Sequence, residues 1–150
     1  MSDENEKSVI AVSQKVIAVS KIMQQNIDFG VIKGCGTKPV LLKAGAEKLL
    51  IAFNLFAEVE NYEIIDFPDF NREYKVKIKL ISRKDLVPVG AGIGSASTLE
   101  KKFKRDNPPD IWNTVLKMAK KRALIDAVLT SLGASMLFTQ DLVESEEETK

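Results

Sequence analysis

Lysines are the residues of this chain best placed to do chemistry, and that chemistry is contact with anions. Between residues 111 and 132, Asn113, Thr114, Lys117, Lys120 and Lys121 recur at helical steps. At about 100° per residue, those steps bring all five onto one face of a helix. Clustered ammonium groups bind phosphate oxygens as point charges, with no preference for base sequence. Leu124 and Val128 continue the same face, so the second half of the helix is apolar nearly all round. A surface of that kind must be buried, and a contact with another subunit is one way to bury it. Arg122 lies on the opposite side, four residues before Asp126, at the spacing of a helical ion pair. It is a candidate nucleic-acid contact or a structural partner of Asp126.

Two further segments carry the same chemistry. Lys101, Lys102, Lys104 and Arg105 surround Phe103. Cations around an aromatic ring suit single-stranded nucleic acid, where the ring can stack on a base. The alternative is an exposed loop with Phe103 folded into the core. Lys75, Lys77 and Lys79 alternate with apolar residues, which places them on one face of a strand. Their neutralising partner is either a polyanion or a neighbouring strand carrying Glu58, Glu60 and Glu63.

The absences narrow the classes of function. There is no histidine, so the commonest general base is missing. One cysteine, Cys35, allows neither an internal disulfide nor a Cys-rich metal site. No catalytic residue, metal site or cofactor is expected, and the chain reads as a binding protein, not an enzyme. Gly90-Ala91-Gly92-Ile93-Gly94-Ser95 is not a dinucleotide loop, because it neither follows a first parallel strand nor opens a helix. Gly34-Cys35-Gly36-Thr37-Lys38 fails the phosphate-loop spacing. Both are read as places where a backbone approaches closely.

The elements that must position these residues follow from periodicity. Apolar Val9, Val12, Val16, Val19 and Met23 predict a helix over 8–26. Thr37 and Pro39 mark the start of a second helix reaching about Leu55, with Gly45 inside it as a sign of close packing. Strands are predicted over 57–67, 73–82 and 87–97, followed by a charged loop over 99–107. Asp110 is the expected N-cap of the last helix and Gly133 its stop. The predicted class is α+β: a three-stranded antiparallel β-β-β-α core with helices on one face.

Charge is unevenly distributed. The chain as a whole is +1, yet residues 141–150 carry five acids and one base, and residues 1–7 carry three acids and one base. Residues 72–122 hold fourteen bases and five acids, net +9. The two ends are expected to be flexible acidic segments flanking one domain over 8–140. A basic body with acidic ends suits a polyanion binder whose tail competes for its own groove; a merely solvated tail is the other reading. No apolar stretch of signal or membrane-spanning length is present, and the lone cysteine fits a reduced, cytoplasmic setting.

Three segments carry a resemblance. They are Lys38-Pro39-Val40-Leu41-Leu42-Lys43 with Gly45-Ala46-Glu47-Lys48-Leu49, the stretch from Gly90 to Ser97, and the stretch from Asn113 to Leu124 continuing to Gly133, with Phe138-Thr139-Gln140-Asp141 after it. Together, over about residues 28–141, they resemble the annealing domain of the Rad fifty-two superfamily, most closely its bacterial and phage branch, that of DNA damage response protein A. The resemblance implies a β-β-β-α core that assembles into rings or filaments. It implies single-stranded DNA held by its backbone in a basic groove, no bond chemistry, and a role in annealing or end protection during recombination and repair. A single-strand-binding protein or a recombinase is an implied partner. The family's Lys-Arg pair falls on Lys121 and Arg122. A further basic residue of the eukaryotic members falls on Ile125, with Lys117 and Lys120 near enough to compensate.

Two other functions fit the element order. A double-stranded RNA-binding domain also runs α-β-β-β-α with lysines early in its last helix, but leaves the long 99–107 loop and the extra helix unexplained. A structural oligomer or adaptor would use the same charges only to balance acidic neighbours.

Overall fold

A computed structural model of the chain describes residues 2–31 and 38–140. Strong alternation builds its centre. In β4 (Arg72–Ser82), Tyr74, Val76, Ile78 and Leu80 are buried while Lys75 and Lys77 are exposed. β4 lies between β3 (Leu55–Asp66) and β5 (Pro88–Ser97) in an antiparallel sheet of order β3-β4-β5. The β3–β4 turn places Asp69 and Phe70 at positive φ, 62° and 63°.

One face of this sheet is closed by α3 (Trp112–Ser131), and small residues set how closely it approaches. Gly90, Gly92 and Gly94 stand opposite buried Leu80, Ile78 and Val76, so they share the inner face. They meet Ala119, Ala123, Ala127 and Ser131, which fall four apart along α3. A Cβ on Gly92 would strike the Ala127 amide nitrogen and come within 2.5 Å of the Ala123 carbonyl oxygen. The glycine run thus admits a helix backbone, as close packing requires, in a central position of the fold.

The remaining elements complete the core. α1 (Asp3–Ser20) and α2 (Lys43–Ala52) contribute Val16, Val19, Leu49 and Leu50 to the same buried cluster as the sheet and α3. Two short strands, β1 (Phe29–Gly30) and β2 (Val40–Leu41), pair antiparallel beside them. The architecture is α+β, with a three-stranded antiparallel sheet and helices packed against it. Among the described residues, no helix is long and apolar enough to cross a membrane.

Several expectations are corrected. α1 starts at Asp3 and not at residue 8, so residues 3–7 belong to the helix. The cause is local: Ser2 caps the helix by accepting from the Asn5 N–H, and Asp3, Glu4 and Glu6 face its positive end. α1 also stops at Ser20, short of residue 26, because the Asp28 carboxylate accepts from the Gln24 N–H at 2.8 Å and holds a turn there. α2 begins only at Lys43, since Val40 and Leu41 are spent on β2. Asp110 lies in a 3-10 turn, Pro108–Ile111, and caps nothing; Ile111 is the N-cap of α3. Gly133 does end the helix, with a left-handed φ of 65°.

The largest correction concerns Leu124 and Val128, expected at an interface between subunits. They are 7% and 0% exposed and belong to the chain's own core. The helix is apolar all round there because its own sheet and helices surround it. The Gly34-Cys35-Gly36 turn and the acidic 141–150 segment lie outside the described residues.

Candidate nucleic-acid interface

The first half of α3 presents the expected basic face. Asn113, Thr114, Lys117, Lys120 and Lys121 are all exposed. Among the described residues, none of the three lysines has a carboxylate within ion-pair distance. Exposed like charges with no protein partner are held apart only by solvent and salt, so a polyanion relieves their repulsion.

This face runs into a cleft of about 760 Å³ between α2, α3 and β5, lined by Leu42, Lys43, Ala44, Lys121, Arg122 and Gln140 among others. α2 adds a second source of positive potential. Its N-terminus opens at Leu42 without a side-chain cap, and its first turn holds no acid. Unsatisfied N–H groups at a helix start favour an anion. Lys43 stands at that start, its only close carboxylate among the described residues being Glu47 at 3.8 Å, with both side chains largely exposed. Sequence reasoning missed Lys43 and this wall of the cleft, because residues 40–42 read as helix. The available signal was its place beside Leu42, at the end of a segment that the sequence reading set apart.

An ion pair buried on its carboxylate side steadies the wall. Asp28, fully buried, accepts from Lys48 at 2.6 Å. Burial pushes its carboxyl up. The hydrogen bonds from Lys48 and the Gln24 N–H, with the Lys48 charge, outweigh that and hold it below the ordinary value. The Asp28 carbonyl also accepts from Leu42 N–H at 3.0 Å, tying the turn to the start of α2. Gly45 is required at this spot, since a Cβ there would strike the Asp28 carbonyl oxygen.

Arg122 lies in the cleft but does not pair with Asp126. Its guanidinium donates to Glu100 at 2.8 and 3.0 Å and to the Ser95 carbonyl at 2.8 Å. Asp126 instead accepts from the Ile93 N–H at 2.9 Å, and Glu100 accepts from the Ser97 N–H at 2.9 Å. The physical reason is the sheet edge. Ile93, Ser95 and Ser97 turn backbone groups outward from β5, and an unpaired edge invites another strand. Arg122, Asp126 and Glu100 satisfy one such group each. Burial pushes the Glu100 carboxyl up, but hydrogen bonds from Arg122 and Ser97, and the charges of Arg122 and Lys102, hold it below its ordinary value.

The other candidates divide. Lys101, Lys104 and Arg105 are exposed and Lys102 is half-buried, on a 3-10 turn, Lys101–Phe103, and the residues after it. The Phe103 ring packs against the core, with the Lys102 Nζ 5.6 Å from its centroid, so it is only partly available for stacking. The lysine ladder has acidic neighbours: Lys75 faces Glu63 and Lys79 faces Glu58 across the β3–β4 pair. Register slips between Val59 and Asn61, and Lys77 reaches Glu60 in the slip at 3.3 Å. The ladder therefore has the cross-strand partners of a structural role. No group of three His, Cys, Asp or Glu side chains among the described residues could hold a metal ion.

Neither a scan against models of known protein families nor a search of curated proteins finds a match to this chain.

Proposed function

We propose that the chain binds single-stranded nucleic acid by its phosphates, along the α3 lysine face and into the adjoining cleft. The observation that carries this reading is the set Lys117, Lys120 and Lys121, exposed and without carboxylate partners among the described residues, continuous with Lys43 at the open start of α2. Contacts made to the backbone leave bases free to pair. The reading therefore extends to strand annealing or end protection in DNA recombination and repair, in the cytoplasm, without bond chemistry and without a cofactor. A single-strand-binding protein or a recombinase is its natural partner. The self-assembly implied by the resemblance to the annealing proteins must use a surface other than Leu124 and Val128. Val59, Tyr62 and Ile64 of β3 lie on the α3 side of the sheet and are 40%, 56% and 46% exposed, so they offer one.

The test is fluorescence anisotropy with single-stranded DNA, duplex DNA and duplex RNA across a salt series. Single-stranded DNA is expected to bind tightest, with no dependence on sequence. Replacing Lys117, Lys120 and Lys121 together by Ala is expected to weaken binding to all sequences alike. Each lost phosphate contact lowers the slope of log K against log salt by about 0.7. An unchanged slope in the triple variant overturns the assignment of this face. Preference for duplex RNA moves the reading to recognition of A-form shape, and no binding at all leaves a structural or adaptor role.

A further inference from the structure

The chain leaves its described fold at the cleft. Thr139 is pinned beside β2: its N–H donates to the Pro39 carbonyl at 2.9 Å and its carbonyl accepts from Leu41 at 3.0 Å. Gln140 follows, lines the cleft, and donates its side-chain amide to the Arg122 carbonyl at 2.8 Å. The next ten residues hold Asp141, Glu144, Glu146, Glu147 and Glu148 against a single Lys150. An acidic sequence therefore follows directly on a cleft whose charged lining is Lys43, Lys121 and the Arg122–Glu100 pair, with Lys117 and Lys120 farther along α3.

We propose that segment 141–150 docks on this basic surface and competes with nucleic acid for it. The inference rests on the reading of the cleft given above, and names a regulation of that same site. Three observations carry it. The first is charge: the segment is net −4, and among the described residues the α3 lysines have no carboxylate within ion-pair distance. The second is position, fixed by the hydrogen bond from Gln140 to Arg122. The third is reach. Ten extended residues span up to about 35 Å, and a 20-residue helix such as α3 is about 30 Å long, so the segment can follow the lysine face from one end. A tether this short gives an effective concentration on the order of millimolar. A segment that binds with a dissociation constant of a few tenths of a millimolar then weakens the binding of a ligand in solution several-fold. Carboxylates and phosphates share the chemistry that lysines recognise, but the tethered segment carries far fewer charges than a long polynucleotide. It slows and weakens weak encounters and yields to extended ones.

The experiment compares three proteins: the full chain, a chain ending after Gln140, and a full-length chain with Asp141→Asn and the four glutamates changed to Gln. Affinity for a labelled oligodeoxythymidylate is read by anisotropy at low and high salt. The expected result is that both variants bind several-fold tighter than the full chain at low salt. The three proteins converge as salt screens the contact. A peptide of residues 141–150 added to the truncated chain restores weaker binding. Equal affinities of all three at every salt concentration overturn the docked tail while leaving the nucleic-acid reading intact. A gain on truncation that neutralisation does not reproduce also overturns it, because charge is then not the cause. Absence of binding by all three overturns both readings together.

Discussion

At the residue scale, cations of similar appearance divide into two kinds. Arg122 is committed to the protein, holding Glu100 with two hydrogen bonds and the edge of β5 with a third. Lys117, Lys120 and Lys121 are exposed and make no such pair among the described residues. Arg122→Ala is therefore expected to lower stability by about 1.5–3 kcal/mol at pH 7, the usual worth of hydrogen bonds to a charged group. The lysine triple variant is expected to stay within about 0.5 kcal/mol of the parent, as surface substitutions do. Urea unfolding at several pH values checks both. The sign follows from Glu100, whose folded-state carboxyl lies below its ordinary value. The pair's contribution is complete above the unfolded carboxylate range, about pH 4.3, and is lost as pH falls through the lower folded value. The gap between the parent and Arg122→Ala should thus narrow below about pH 4. A gap that stays constant to pH 2 would mean that Glu100 is not the partner that matters. Sequence alone offered Asp126 to Arg122, because helical spacing is visible in a chain and the edge of a distant strand is not.

At the element scale, the sheet and α3 were legible because each advertises one period. Alternation in β4 and helical steps in 113–121 survive any packing. Their contact was only half legible. The glycine run signalled a close approach, and the structure supplies the approaching group, the backbone of α3 at Ala119, Ala123 and Ala127. Leu124 and Val128 misled for a related reason. An all-apolar helical surface says that it is buried and leaves open whether the chain's own elements or a partner bury it. The packing makes Gly92→Ala a sharp test. Its Cβ would meet backbone atoms of α3, which cannot rotate away. Overpacking of this kind costs about 1–3 kcal/mol, and each kcal/mol lowers the melting temperature of a chain this size by roughly 2–4 °C. Gly30→Ala, with nothing within 4 Å of the added carbon, is the control and should melt as the parent does. Equal melting temperatures for the two variants would refute the close seating of α3.

At the scale of the whole molecule, α3 covers β4 and β5 and leaves the outer part of β3 bare. Single exposed apolar side chains are ordinary on protein surfaces. Val59, Tyr62 and Ile64 differ in being consecutive inward positions on one strand, opposite buried Ile78, Val76 and Tyr74. They extend the core's own face into solvent, the pattern of a surface that another chain covers. β3 is also a sheet edge, and its glutamates at 58, 60 and 63 repel a second copy of the same strand. Association is therefore expected through the apolar face, with an element of a second copy lying where α3 stops, and not through strand addition. Tyr62→Glu combined with Ile64→Glu places charge on that face without touching a buried residue. In sedimentation velocity at micromolar concentration, the parent is expected as an oligomer and the double variant as a monomer with an unchanged circular dichroism spectrum. A parent that already sediments as a monomer removes the surface from any role in assembly. A double variant that stays oligomeric moves the interface elsewhere, and the exposed apolar half of α1, with Val9 and Val12, is then the surface to charge next.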